Sequence, residues 1–202
     1  MLHKDIAQAS QYFPQDVVEL AALFAGDPRL PLQATPGRGA AVAMWILGSS
    51  LFGAQLAAQL GLPFAFASHF APDHLMQALR VYRENYQPSE RWPRPHAMVG
   101  LNVVAASTDA EAAFHFTSLQ QRFLGMRRGV RGPLPRPVAS MDGLWSEAER
   151  AGVARMLAMS AVGGPETVLA RLREMREATQ ADEFIVACAV HDHGARLASY
   201  EI

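Results

Sequence analysis

The stretch AVAMWILGSSLFGAQLAAQLGLPFAFASHF, residues 41–70, decides the fold of this chain. Its first seven residues form an unbroken apolar run, which predicts a parallel strand covered on both faces. A tight turn, GSS at residues 48–50, leads into a helical pattern that extends to Gly61, a residue type that commonly ends helices. Residues 64–67 then predict a second buried strand. The whole stretch therefore predicts one βαβ unit with a right-handed crossover.

The turn inside this unit has the chemistry of an anion site. Ser49 and Ser50 lie where the carboxyl end of a strand meets the amino end of a helix. Unpaired backbone N–H groups and the positive end of the helix dipole converge at such a point. Gly48 has no side chain to keep a phosphate away. Serine is also a common helix-capping residue, so the residues alone leave both interpretations open.

The rest of the chain continues the same alternation. Residues 1–40 predict an N-terminal helix, over residues 5–24, followed by a connector rich in Pro and Gly. Two more apolar runs, at residues 96–106 and 184–190, predict buried strands that are separated by helices. Four buried strands that alternate with helices predict an α/β protein with parallel strands. A chain of 202 residues is most simply one domain, 1–202.

Composition excludes several classes of partner. A formal net charge of -1 argues against binding to nucleic acid or to an anionic membrane surface. No apolar run is long enough to span a bilayer, and the polar start of the sequence is unlike a signal peptide. Cys188, the single cysteine, can form no internal disulfide, as is typical of a reducing compartment. We therefore expect a cytoplasmic protein with neither nucleic acid nor membrane as partner.

Four segments carry a family resemblance. They are ILGSSLFGAQLAAQLGLPFAFASHFAPDHLMQALRVYR (46–83), NVVAASTDAEA (102–112), VGGPETVLARL (162–172) and DHGARLASYEI (192–202). In this order they resemble the luciferase-like, flavin-dependent monooxygenases. The resemblance extends over nearly the whole chain, but it covers only the C-terminal part of the family pattern, from about the fourth helix to the eighth.

The resemblance implies a fold, a reaction and a cofactor. The fold implied is a TIM (β/α)8 barrel, of which this chain carries about the C-terminal half, four βα units with parallel strands. The reaction implied uses reduced FMN, supplied by a separate NAD(P)H-dependent reductase, and dioxygen to oxidise a small organic substrate. Gly48, Ser49 and Ser50 match the segment that grips the flavin phosphate in the family. The first strands of the family pattern, which carry other contacts to the flavin, are not matched, so we expect a truncated member.

Histidines follow two of the predicted strands, where a barrel places its active site. His69 and His193 are the catalytic candidates, since a histidine there can donate a hydrogen bond or act as acid or base. A simpler interpretation of the second position is that Asp192 caps the last helix and His193 covers its first turn. A metal site at residues 191–193 is rejected, because adjacent residues seldom orient together and no third cluster of ligands exists.

Two classes of function remain open at this point. The first is a flavin-dependent monooxygenase with an unknown substrate, and the second is a catalytically inactive half-barrel that serves as a binding or structural module. A deazaflavin in place of FMN is a variant of the first. A half-barrel would leave two strand edges unpaired, which predicts a homo-oligomer. We expect the 202-residue chain on its own to support little substrate-dependent activity.

Overall fold

The structure, a computed structural model, describes residues 9–202, with side chains from Gln11 onward. The chain forms two compact units that meet in sequence between Trp45 and Ile46. In the first unit, α1 (Ala9–Ala25) includes Pro14. The predicted N-terminal helix is therefore confirmed from residue 9 to residue 24, and its first part, residues 5–8, lies outside the described residues. A connector without regular structure follows α1, as predicted.

The second unit alternates strands and helices from Ile46 to Ile202. In chain order its elements are β1 (Ile46–Gly48), α2 (Leu51–Leu60), β2 (Phe64–Phe66), α3 (Leu75–Glu84), β3 (Ala97–Ala105), α4 (Asp109–Arg127), α5 (Glu147–Met156), β4 (Ser160–Gly163), α6 (Pro165–Thr179), β5 (Glu183–Ala187) and α7 (His193–Glu201). None of the helices described between residues 9 and 202 is both long and apolar enough to cross a membrane.

All strand pairs in this unit are parallel, and β3 is the centre of the sheet. Its first residues pair with β2, which in turn pairs with β1. Met98 and Val99 pair with both β2 and β5, so these two strands lie on opposite edges of β3. The order β1, β2, β3, β5 is that of consecutive strands in a barrel. The predicted fold class, parallel α/β of the barrel type, is confirmed.

The second unit, residues 46–202, contains five strands, whereas the sequence predicted four. The additional strand, β4, pairs with the last four residues of β3. Because Asn102 pairs with both β4 and β5, β4 lies on the same edge of β3 as β2, beyond the end of β2. A four-residue strand directly after a helix is too short to show a period of its own. The four predicted strands are the barrel strands, and β4 is an addition to them.

The strand predicted at residues 41–47 is wrong in its extent. Only Ile46 and Leu47 of that run belong to β1, and residues 41–43 are exposed. The reason lies in the partner segment. The N–H of Ile46 donates to the carbonyl of Pro63 at 3.1 Å, and the chain before Pro63 is a helix end, where Gly61 is left-handed with φ 60°. Proline donates no ladder hydrogen bond, so the pairing cannot extend further back.

Helices cover the two faces of the sheet differently. On one face the rings of Phe64 and Tyr82 lie 5.4 Å apart, which places α3 against β2. The side chains of Val103 and Val168 line one apolar groove on this face, so α6 lies there as well. On the opposite face Val104 packs in a buried cluster with Ala112 of α4. This second face therefore has α4 across its carboxyl end.

The two outer strands expose apolar side chains on that second face. Leu47 of β1 is 64% exposed and Ile185 of β5 is 53% exposed. Within residues 9–202, β1 is hydrogen-bonded to β2 alone and β5 to β3 alone. Unpaired edges beside exposed apolar side chains favour further pairing.

Candidate functional site

The turn between β1 and α2 stands at the carboxyl end of the sheet. Gly48 ends β1, and its carbonyl accepts a hydrogen bond from Ala67 N at 2.9 Å, which joins the ends of β1 and β2. Ser49 is half-buried and Ser50 is exposed. The turn is thus held by the neighbouring strand, and Ser50 is accessible to solvent.

Ser50 is in the capping position of α2 but does not cap it. Its backbone is extended, with φ −138° and ψ 166°, and its side chain makes no hydrogen bond to the helix. The first turn of α2 also contains no acidic residue. The free N–H groups of this helix end and the hydroxyl of Ser50 therefore suit an anion, with no negative side chain in that turn to oppose it.

Three other helices begin differently. Thr108 caps α4 by accepting from Glu111 N at 3.2 Å, and Ser146 caps α5 in a reciprocal capping box with Glu149. At the start of α6, Gly164 N donates to Asp109 Oδ1 at 2.7 Å, and this bond is the main reason why the pKa of Asp109 lies below its usual value. Protein oxygens thus accept hydrogen bonds at these three helix starts, whereas α2, like α3, has no side-chain cap, and at α2 the Ser50 hydroxyl makes no hydrogen bond to the helix.

The second polar turn, after β2, is fixed by side-chain hydrogen bonds to β3. Ser68 is fully buried, and its Oγ donates to the carbonyl of Gly100 at 2.7 Å. Asn102 Nδ2 donates to the carbonyl of His69 at 2.6 Å. A Cβ on Gly100 would lie 2.5 Å from His69 Nδ1, so the imidazole occupies the space that a side chain at residue 100 would take. Two hydrogen bonds and one close approach therefore set the position of His69.

The imidazole of His69 is half-buried and uncharged near neutral pH. Burial lowers its pKa from the ordinary value, because an apolar environment disfavours the charged form. Its ring meets Phe70 edge to face, with 5.1 Å between centroids. A neutral imidazole can donate from one ring nitrogen and accept at the other, which suits it to hydrogen bonding with a bound molecule.

His69 lines a cavity of about 360 Å³ between the sheet and α4. Asn102 and Ala187, which are paired in the sheet, contribute from β3 and β5. The other side chains around it are mostly apolar, apart from one cation: Phe70, Leu119, Arg122, Phe123, Met126, Leu134 and Ala189. A volume of this size falls within the range of small-molecule pockets.

Two polar residues of this cavity, Asn102 and Arg122, were not predicted as site residues. Asn102 had a visible signal, since it is the lone polar residue within the apolar strand AMVGLNVVA. A polar residue in a strand of that kind must find a partner, and such residues often serve a site. Arg122 had no signal, because a helix bearing polar residues on several faces does not reveal which one lies over a cavity.

The candidates after β5 are arranged as the simpler interpretation predicted. Asp192 caps α7 by accepting from Ala195 N at 2.8 Å. His193 is the first residue of α7, is exposed, and accepts at Nδ1 from Arg196 Nη2 at 2.8 Å. It is not among the residues that line the cavity of His69. In the described part of the chain, no three side chains of His, Cys, Asp or Glu are grouped to hold a metal ion.

Parallel strands with polar turns and a cavity at their carboxyl ends define an α/β protein of the barrel type. The sequence profile of the family described as luciferase-like monooxygenase matches residues 11–182. The chain therefore belongs to the luciferase-like monooxygenase family. A protein of Escherichia coli strain K12, named luciferase-like monooxygenase, is 51% identical over 191 residues, which are 94% of this chain and 57% of that protein. The chain thus spans little more than half the length of this relative.

Solved structures agree with the family assignment. The crystal structure of apo-MsnO8 superposes with a TM-score of 0.80 at 30% identity, over 96% of this chain and 59% of that chain. An F420-dependent secondary alcohol dehydrogenase in complex with an F420-acetone adduct superposes with a TM-score of 0.62 over 99% of this chain and 62% of that chain. At 10% identity, the second likeness shows the fold alone.

Proposed function

We propose that this chain is the phosphate-binding and cavity-bearing part of a flavin-dependent monooxygenase. In this proposal Gly48, Ser49 and Ser50 hold the phosphate of FMN, and the cavity beside His69 accepts a small organic substrate. Reduced FMN, delivered by a separate NAD(P)H-dependent reductase, supplies the electrons that activate dioxygen. The protein is cytoplasmic and self-associating.

One observation carries the proposal: the unengaged hydroxyl of Ser50 at the amino end of α2. Serine in that position ordinarily bonds to the helix, and forgoing this bond costs about 1 kcal/mol of helix stability. A phosphate at the same point accepts hydrogen bonds from the hydroxyl and from the free N–H groups, and it is stabilised by the helix dipole. Family membership makes the phosphate of a flavin the natural occupant.

Ser50→Ala should weaken the binding of FMN while leaving the binding of riboflavin unchanged. A lost hydrogen bond to a charged phosphate corresponds to about 1–3 kcal/mol, or roughly fivefold to a hundredfold in Kd. Riboflavin has no phosphate and should bind both proteins equally. Flavin fluorescence titration measures both constants.

Ser107 provides a matched control for this experiment. It lies between the end of β3 and the start of α4, as Ser50 lies between β1 and α2, and it is exposed. Ser107→Ala should leave the affinities for FMN and for riboflavin unchanged. An equal loss of FMN and riboflavin affinity in Ser50→Ala would mean that Ser50 serves only the helix.

The 202-residue chain alone, given reduced FMN and dioxygen, should release hydrogen peroxide with little substrate-dependent oxygen use. Binding a phosphate far from the reacting atoms accelerates a reaction only if other groups orient the ring. The exposed face beside Leu47 and Ile185 also leaves the site open to water, which an oxidation of this kind must exclude. Oxygen consumption with and without aldehyde substrates tests this, with free flavin as baseline. Substrate-coupled turnover would refute it.

Two alternatives have support of their own. The exposed apolar face of β1 and β5 favours a binding or structural half-barrel without activity. The other alternative is a deazaflavin as cofactor, which an F420-dependent alcohol dehydrogenase of the same fold binds. Parallel titrations with FMN and with the deazaflavin separate these possibilities, since tighter binding of the deazaflavin would exclude FMN and binding of neither would favour the inactive module.

A further inference from the structure

Among the described residues around the cavity of His69, Arg122 alone has a permanently charged side chain. Arg122 contributes to the cavity from α4, and its Nη1 donates to the carbonyl of Gly132 at 3.0 Å. This neutral acceptor uses one of the five guanidinium N–H groups. Among the described residues no carboxylate forms an ion pair with Arg122. The cavity wall therefore carries a positive charge that faces solvent and is not paired with a carboxylate of the described residues.

The remaining polar groups of the cavity leave that charge unopposed. Burial lowers the pKa of His69, so its imidazole adds no second positive charge near pH 7. Asn102 is neutral, and one of its two amide N–H groups donates to the carbonyl of His69. The other lining residues are apolar, with the rings of Phe70 and Phe123 among them. The cavity is thus an apolar space that has neutral polar groups, from His69 and Asn102, on one side and the positive charge of Arg122 on another.

We propose that this cavity binds an amphiphilic organic anion, with a short apolar chain or ring and one carboxylate that pairs with Arg122. The inference rests on the proposed function for the role of this molecule as substrate, and it names the substrate's chemical class. Arg122 is exposed, so water also reaches its guanidinium, and the preference for an anion rests on the fork of N–H groups, two of which a carboxylate accepts in parallel. An uncharged analogue would form no such ion pair, while a cationic one would be repelled.

The apolar body of such a molecule would contact Leu119, Phe123 and Met126, while its other end approaches His69. This orientation follows from the lining, since His69 and Asn102 supply the polar groups on the sheet side and Arg122 belongs to α4. A cavity of about 360 Å³ admits a small organic acid such as octanoate with space to spare. The arrangement brings the end remote from the carboxylate near the candidate acid or base.

Calorimetric titration with octanoate, octanol and octylammonium tests the proposal, because these three probes share a chain and differ in charge. The wild-type chain should bind octanoate at least fivefold more tightly than octanol and should bind octylammonium least. Arg122→Gln should weaken the binding of octanoate about fivefold to tenfold and leave the binding of octanol unchanged. Arg122→Lys, which keeps the charge, should restore most of the loss. Arg173→Gln, an exposed arginine of α6, is the matched control and should change nothing.

A steric variant locates the binding site. Ala187→Phe fills the cavity from β5 and should abolish binding of both octanoate and octanol, with folding checked by circular dichroism. If Ala187→Phe does not fold, Leu134→Trp is used in its place and fills the cavity from the loop side. Undiminished binding to a folded cavity-filling variant would overturn the proposal.

The FMN titration of the same variants keeps the two proposals separate. Equal affinity for octanoate and octanol, or no effect of Arg122→Gln, would refute the anionic substrate while leaving the flavin proposal intact. An equal loss of FMN affinity in Arg122→Gln would assign the arginine to the flavin phosphate and would also overturn the inference. Octanoate binding that depends on Arg122 in a chain without FMN affinity would instead refute the proposed function alone.

Discussion

Replacing Gly100 with alanine is expected to lower the free energy of unfolding by about 1–3 kcal/mol and to displace His69 from its position. The new Cβ would lie 2.5 Å from His69 Nδ1 and 3.2 Å from the carbonyl oxygen of Phe66. The backbone of β2 can give way little, since Phe66 is paired with Val99 in the sheet. The imidazole must therefore rotate toward the cavity or the strands must separate.

Chemical denaturation and the proton resonances of His69 measure the two effects. As the imidazole moves out of its buried position, the pKa of His69 should rise toward its ordinary value. Gly48→Ala serves as control, because its Cβ would meet only the Cα of Gly53, at an ordinary 3.7 Å. Unchanged stability together with an unchanged His69 titration in Gly100→Ala would show that the close approach does not constrain the site.

The 202-residue chain should self-associate in solution through the edges of β1 and β5. Each strand leaves one edge without a partner among the described residues, beside an apolar side chain that is more than half exposed. A parallel sheet is ordinarily covered on both faces. Pairing with a second copy would satisfy the backbone groups of these edges and would remove apolar surface from water at the same time.

Charged substitutions on this face should weaken the association at least tenfold. The double variant Leu47→Lys, Ile185→Lys places two positive charges in the contact, whereas Val130→Lys alters an equally exposed apolar residue of a loop. Sedimentation velocity over a range of concentrations measures the change in mass. A wild-type chain that stays monomeric at every concentration would contradict the expectation, and an equal effect of Val130→Lys would assign the contact elsewhere.

The sequence predicted those parts of the fold that local patterns encode. The run from Leu51 to Leu60, closed by Gly61, has helical periodicity and a residue suited to a left-handed end, and the structure contains that helix. The strand around residues 97–105 is long enough to be recognised from its apolar run. In such segments local preference and tertiary packing agree.

Other features depend on partners that are distant in sequence. Where β1 begins is decided by Pro63 in the neighbouring segment, and β4 exists because it pairs with the end of β3. The candidate site shows the same division. The turn at residues 48–50 was visible as a motif, while the cavity unites Asn102 of a strand with Arg122 of a helix. Nothing in the spacing of these two residues indicates that they share a space.

The central strand β3 has a consequence for how this protein can evolve. It is hydrogen-bonded along both edges, and the same strand supplies Gly100 and Asn102, which position His69. A mutation in β3 cannot change the surroundings of His69 without also altering the sheet. We therefore expect the wall of the cavity that β3 forms to change slowly in evolution. The opposite wall of the cavity, formed by α4 and the loop around Leu134, shapes the cavity but takes no part in the pairing of the strands. New substrate preferences should therefore arise by variation in that wall.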